Sequence, residues 1–349
     1  MNLERMLEAL RTYDGPACRL MEVCGTHTAS IVKNGIPSLL PDGIQLVSGP
    51  GCPVCVTVTS YIDRLVELCL EDHTTVAAFG DLLRVRGSKM SLAEAKSIGG
   101  HVQMVYSPME MLDAAKKDKG QRFVFAAVGF ETTMPVYAVL MKEALQRNLS
   151  NVRLLTSLKT MPEVIRWLCR NNEKTKGRTP ITGFIAPGHV CAVTGLSEYR
   201  KIAEETGLPF IVSGFEGKEL LAAIYGLVRE RGRGGVWNFY PEVVREEGNP
   251  KAEEAVDEFF CTADAAWRGM GIIPHSGKLL RPEYAFFDAG SSGLTKDQVA
   301  DGCRCPEVLM GRIRPTECPL FGKVCTPSSP HGSCMVSQEG SCYNFYIGR

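Results

Sequence analysis

Six cysteines fall within residues 300–349: Cys303, Cys305, Cys318, Cys325, Cys334 and Cys342. They stand among Pro, Gly and short polar residues, with little helical or strand period. Such a segment has few large apolar side chains to bury and needs a covalent or metal staple to hold one shape. Several thiolates from a loop-rich segment suit an Fe–S cluster or zinc better than they suit a core. Cys303, Cys318, Cys325 and Cys342 give the spacing C-x14-C-x6-C-x16-C, which leaves Cys305 and Cys334 as two further thiols beside the metal. A second assignment uses Cys334 as a ligand in place of Cys303. Zinc is the rival metal, because all-thiolate sites serve both. A dithiol next to a cluster is a workable electron relay, since a cluster delivers single electrons and a disulfide accepts two.

Other residues with chemistry lie upstream. Cys52-Pro53-Val54-Cys55 is a C-x-x-C placed after a predicted strand. A following helix N-terminus lowers the pKa of its first thiol, so the pair can cycle between dithiol and disulfide. The same spacing also supplies half of a zinc site. Cys24 and His27 are three residues apart, with Gly25 between them allowing close backbone approach. They can ligate one metal or form an activated thiol with its base. Glu131 in Gly-Phe-Glu-Thr-Thr can relay protons or ligate a metal; its bland alternative is a Glu stabilised at a helix N-terminus. His189 in Pro-Gly-His-Val is placed as a ligand or proton donor. His73, His101, His275 and His331 lack partners in sequence and read as structural. Cys18, Cys69, Cys169 and Cys261 read as small buried hydrophobes.

These residues need elements to position them. Short apolar, β-branched runs at Ile44–Ser48, Thr75–Phe79, Val102–Tyr106, Phe123–Val128, Val152–Thr156, Ile181–Ile185 and Phe210–Ser213 alternate with helical patterns. Ser107-Pro108-Met109-Glu110 carries a capping box with Pro at the first helical position. Strands buried on both faces and separated by helices imply parallel sheets. The expected fold is therefore α/β, with two open parallel-sheet domains over 1–122 and 123–235. A helical and cysteine-rich domain over 236–349 follows, beginning with a helix at Pro250–Arg268. The unusual residues cluster just after predicted strands: Cys52 and Cys55, Gly80-Asp81, Glu131 and His189. In open α/β sheets ligands bind outside the carboxyl ends of the strands, so these loops are expected to converge on one cleft. Gly-Phe-Glu recurs at Gly129-Phe130-Glu131 and Gly214-Phe215-Glu216, each after a strand.

Bulk composition narrows the function. Lys+Arg and Asp+Glu both count 39, so net charge is near zero. That argues against binding nucleic acid or an anionic membrane through bulk charge. The apolar runs are too short to span a bilayer, and the N-terminal residues lack a signal-peptide pattern. A cytoplasmic location is expected, where fourteen cysteines point to metal ligation and catalytic thiols rather than a disulfide framework.

Taken in order, the motifs resemble a known family. They are Glu22-Val23-Cys24-Gly25-Thr26-His27-Thr28, Gly49-Pro50-Gly51-Cys52-Pro53-Val54-Cys55, Gly129-Phe130-Glu131-Thr132-Thr133, and a tail that runs from Cys318-Pro319-Leu320-Phe321-Gly322 through Cys325-Thr326-Pro327 and Cys334-Met335-Val336-Ser337 to Glu339-Gly340-Ser341-Cys342. From about residue 20 onward the chain is similar to the HypD family of hydrogenase maturation factors. The resemblance implies a scaffold for assembling the Fe(CN)2CO group of [NiFe]-hydrogenases. It implies a complex with HypC, and cyanide delivered by HypE after HypF has supplied a carbamoyl group. It also implies a [4Fe-4S] cluster in the C-terminal part. Carried over by motif, Cys24 is the iron-binding thiolate with His27 beside it, and Cys52 and Cys55 are the redox dithiol. Glu131, His189 and Asp81 line the cleft. Arg86 stands where the family pattern implies proline, and Cys191 is unexpected after Gly188-His189-Val190. The alternative function is a stand-alone Fe–S-dependent thiol/disulfide reductase, which leaves Cys24 and His27 without a task.

Overall fold

The computed structural model describes residues 3–171 and 179–348. Its strands form two sheets. The first is built from β1 (Cys18–Glu22), β2 (Ile44–Ser48), β7 (Gly183–Pro187), β8 (Pro209–Ser213) and β9 (Gly235–Asn238). Its order is β2-β1-β7-β8-β9, and every pairing is parallel. The second is built from β3 (Thr74–Ala78), β4 (Val102–Met104), β5 (Arg122–Gly129), β6 (Val152–Lys159), β10 (Phe260–Trp267) and β11 (Gly271–Leu280), in the order β10-β11-β6-β5-β3-β4. Here β6, β5, β3 and β4 run parallel, while β11 joins β6 and β10 antiparallel. The α/β expectation therefore holds, with one sheet mixed rather than wholly parallel.

Burial explains the parallel cores. Every residue of β7 and β8 is buried, as is all of β5 after Arg122. Helices cover both faces of such strands, so their sequences read as continuous apolar runs. Phe184 of β7 and Phe210 of β8 stack with centroids 5.0 Å apart. The Ser107 capping box is present, with Pro108 opening helix Pro108–Lys117.

The chain divides into two compact units drawn from interleaved segments. Unit 1 comprises Met1–Cys52, Val164–Pro250 and Asp301–Arg349; unit 2 comprises Pro53–Glu163 and Lys251–Ala300. The expected consecutive division at 122 and 235 is not how the sheets are built. β1 and β2 pair with β7 to β9, not with β3 and β4. The cysteine-rich tail belongs to unit 1 rather than standing as a third domain.

Two local expectations also change. The helix starting at Pro250 ends at Phe259, and Phe260–Trp267 is strand β10. Its Ala-rich sequence suits a helix, but pairing along β11 overrides that preference. The strand at Ile181–Ile185 sits two residues later, at Gly183–Pro187. Among the described residues no helix is long and apolar enough to cross a membrane.

Candidate functional site

β1 and β2 lie side by side and deliver the first functional loops of unit 1. After Glu22 the chain leaves β1 through buried Val23, and Cys24 takes an extended backbone (φ −145°, ψ 124°) as the cap of helix Gly25–Lys33. The loop after β2 presses against it. Gly51 accepts a hydrogen bond from the Gly25 N–H at 3.0 Å, and Gly49 N–H donates to Glu22 O at 2.7 Å. A β-carbon on Gly51 would stand 2.3 Å from Cys24 N and 2.5 Å from its Cα. Only glycine lets the two loops lie this close.

Glu22 orients this turn. One carboxylate oxygen accepts the Cys24 N–H at 2.9 Å, and the other accepts the Thr28 hydroxyl at 2.5 Å. Burial pushes the Glu22 carboxyl up to about 7, opposed by the hydrogen bonds from Thr28, Cys24 N–H and Ser48. Cys24 itself is partly exposed. Desolvation pushes its thiol up to about 11, against the pull of the His27 and Thr26 backbone N–H groups; the Glu22 and Glu339 charges add to the rise. A thiol so placed is protonated at neutral pH unless a nearby positive charge stabilises the thiolate.

His27 is fully buried, and burial lowers its pKa to about 4. The ring is therefore neutral. Its Nε2 lies 3.1 Å from Gly214 O, a group that only accepts, so Nε2 carries the proton. Nδ1 is left with a bare lone pair and no partner. Phe215 fills the space between two imidazoles, with its centroid 4.7 Å from His27 and 3.8 Å from His189. Ser30 Oγ donates to Phe215 O at 2.5 Å. His189 opens the short helix after β7, and its pKa is lowered by burial. The carboxyl ends of the adjacent strands β1, β7 and β8 thus assemble Cys24, His27, His189 and Phe215, as the strand-end rule requires.

Cys52 follows Gly51 in the same loop, and Cys52 and Cys55 are disulfide-bonded. Glu131 and Asp81 belong to unit 2. Glu131 follows β5, and its Oε1 accepts the Met161 N–H at 2.7 Å; Oε2 is buried without a partner. Burial raises its pKa to about 7. Asp81 stands in the first turn of the 3-10 helix Gly80–Arg84 after β3.

The tail thiols gather within unit 1. Cys334 is wholly buried and hydrogen-bonds with the Cys305 and Cys342 thiols, which together with burial hold its pKa well above the ordinary value. Burial, the Cys305 thiol, and those of Cys342 and Cys318 push Cys303 up to about 12. Cys325 Sγ accepts the His331 N–H at 3.4 Å. Gly332 lies against Cys303, where a β-carbon would meet the sulfur at 2.7 Å. Among the described residues no set of three or more His, Cys, Asp or Glu stands ready-made around a metal position. The donor chemistry nevertheless fits a cluster: six sulfurs are gathered in one mostly buried segment. The tail also reaches the Cys24 helix. A β-carbon on Gly25 would meet Glu339 Cβ and O at 2.6 Å, three residues before Cys342.

Glu22 and Phe215 are the site residues that sequence did not single out. Glu22 stood in the quoted Cys24 motif, and Phe215 stood in the second Gly-Phe-Glu. Cys18 and Cys69 are buried as expected, whereas Cys169 and Cys261 are only partly so.

Known proteins are similar to this chain over most of its length. The family model HypD, described as "Hydrogenase formation hypA family", matches residues 2–348. Hydrogenase maturation factor HypD of Escherichia coli is 40% identical over 334 residues, covering 94% of this chain and 88% of that protein. HypD1 of Bradyrhizobium diazoefficiens is 39% identical over 341 residues, covering 95% and 90%. A putative hydrogenase expression/formation protein of Methanocaldococcus jannaschii is 38% identical over 333 residues, covering 94% and 91%. With a whole-length family match and relatives at this identity, the chain belongs to the HypD family of hydrogenase maturation factors.

Proposed function

We propose that this chain holds the iron of the Fe(CN)2CO group at Cys24 while that group is assembled with HypC, cyanide arriving from HypE. The observation that carries the proposal is the setting of Cys24. It is a partly exposed thiol on the Gly51-packed turn, three residues before His27, whose backbone N–H points at it and whose Nδ1 has no partner, and one loop away from the Cys52–Cys55 disulfide. Low-spin iron takes soft, strongly donating ligands, and a thiolate is one. Glu22 fixes the Cys24 backbone, Phe215 holds the His27 and His189 rings, and His27 offers a lone pair without competing for the Cys24 proton.

The tail provides for redox work. Cys303, Cys318, Cys325 and Cys342 would hold a [4Fe-4S] cluster, which supplies single electrons when bound. Cys334 hydrogen-bonds with Cys305, the pair given the dithiol role, and also with Cys342, so that pair stands directly against a ligand thiol. Reducing the Cys52–Cys55 disulfide takes two electrons and two protons, so two single-electron deliveries through Cys305 and Cys334 would complete it. Contact of Gly25 with Glu339 supports a short path from the tail to the Cys24 turn. Glu131, its carboxyl held near neutrality by burial, is suited to passing a proton. The work takes place in the cytosol.

The test is anaerobic purification with and without HypC, followed by infrared spectroscopy for metal-bound CN and CO. Bands should appear with the wild-type complex and vanish in Cys24→Ala. Bands that survive in Cys24→Ala would remove the iron from that thiol.

A further inference from the structure

Unit 2 contains a cavity that the proposed iron chemistry does not use. Its volume is about 80 Å3, and its walls come from β6, β10, β11 and the 291–295 turn. A cavity needs roughly 10–15 Å3 of such volume to admit one water, so this one takes several waters or one small polyatomic ion. The walls are rich in hydroxyls, including Thr156, Ser157 and Ser291, and they include Lys159.

Lys159 is almost wholly buried, 3% exposed. Its Nζ donates to Ser157 Oγ at 2.7 Å and lies 5.9 Å from the Trp267 ring, and among the described residues no carboxylate stands within ion-pair distance of it. Arg268 is also buried, 6% exposed, and near enough for its charge to act on Lys159. Its Nε donates to Thr57 O at 2.9 Å, while Nη2 has no partner.

The nearby carboxylates do not balance these charges. Asp297 stands 3.8 Å from Arg268 Nη1 but also accepts from Thr59 N–H, the Thr59 hydroxyl and Gly269 N–H. Asp264 accepts the His275 N–H, and Lys278 is paired with Asp257. The Thr156 hydroxyl, 4% exposed, has no partner either. Buried Arg268, whose carboxylate is engaged elsewhere, and buried Lys159 on the cavity wall, with no described carboxylate in ion-pair distance, are costly unless something negative completes them.

We propose that this cavity binds one small oxyanion of the phosphate, sulfate or bicarbonate class, with Lys159 Nζ and the Ser157 hydroxyl, which share one face of β6, as donors and Arg268 supplying further positive charge. The inference rests on unit 2 alone and stands apart from the Cys24 assignment. Burial and the Arg268 charge depress the Lys159 pKa to about 7, and a bound anion would restore it upward.

The full-length protein, purified anaerobically, is titrated with inorganic phosphate at fixed ionic strength in chloride, reading the thermal midpoint and 31P NMR line broadening. A saturable rise is expected. Lys159→Met should weaken half-saturation at least about tenfold, the loss of one charged hydrogen bond. The exposed control Lys142→Met should leave it unchanged. Ser157→Ala, which keeps the lysine, should weaken it severalfold and carries the test if Lys159→Met does not fold. A response no different from chloride, the signature of a water-filled cavity, overturns the proposal, as does wild-type half-saturation in both variants.

Discussion

Replacing Gly51 with alanine tests whether the Cys24 turn is built by backbone contact. The added carbon would lie 2.3 Å from Cys24 N and 2.5 Å from both Cys24 Cα and Val23 C, where ordinary contacts are 3.4–4 Å. These are main-chain atoms, so relief requires moving one loop by about 1 Å rather than rotating a side chain. Overpacking of this kind costs roughly 1–3 kcal/mol, and losing the Gly25–Gly51 hydrogen bond adds about 1 kcal/mol. Together the expected loss is about 2–4 kcal/mol, or roughly 30- to 700-fold in the unfolding equilibrium. Denaturant titration of unit 1, followed through its transition midpoint, measures it. Gly43→Ala is the control, because its added carbon meets only the Tyr13 ring at 3.7 Å. The infrared CN and CO bands formed with HypC should fall with Gly51→Ala and persist with Gly43→Ala. If Gly51→Ala matched Gly43→Ala in both stability and bands, close backbone approach would not be what positions Cys24.

Two further outcomes follow from the described groups. Burial raises the Glu131 pKa from 4.5 to about 7, so the folded state binds its proton more tightly than the unfolded one. Its share of stability should therefore fall as pH rises between 4.5 and 7, by about 3 kcal/mol at most; Glu131→Gln should remove that share in denaturant titrations at pH 5 and pH 7.5 and leave the one from Glu22, whose pKa is raised alike. Cys305→Ser combined with Cys334→Ser should abolish hydrogenase maturation while leaving cluster absorbance in place, and unimpaired maturation would remove the relay.

How much the sequence disclosed depended on where each residue finds its partners. β5 and β8 were legible because their residues are apolar and buried on both faces, and β2 because Ile44, Leu46 and Val47 outweigh an exposed Gln45. β1 was not, although all five of its residues are buried. Arg19 and Glu22 break its apolar run, and their compensation comes from afar or from the following turn. Arg19 donates to Thr179 O and Gly311 O, and Glu22 takes the Cys24 N–H and the Thr28 hydroxyl. No local period reports a bond made across nearly three hundred residues. β10 was hidden by its alanines, which sit in a strand only because β11 pairs with them. Cys24, His27 and His189 could be found because their residue types are rare after strands. Phe215 could not, because a phenylalanine reads as core until the rings on either side of it are known. The gathering of six thiols was visible in composition, while the Cys334 bonds to Cys305 and Cys342 needed the fold.

The interleaving of the two units has a consequence for synthesis. The chain passes between them after Cys52, Glu163, Pro250 and Ala300. When the ribosome has released β1 and β2, their neighbour β7 is still more than a hundred residues away, and the segment 301–349 that completes unit 1 is the last to emerge. Unit 2 can close earlier, once residue 300 is free. Pairings over such separations are slow to form and leave strand edges open meanwhile. Cutting this gene at any single point would sever at least one unit, so neither half can be expressed as a contiguous fragment.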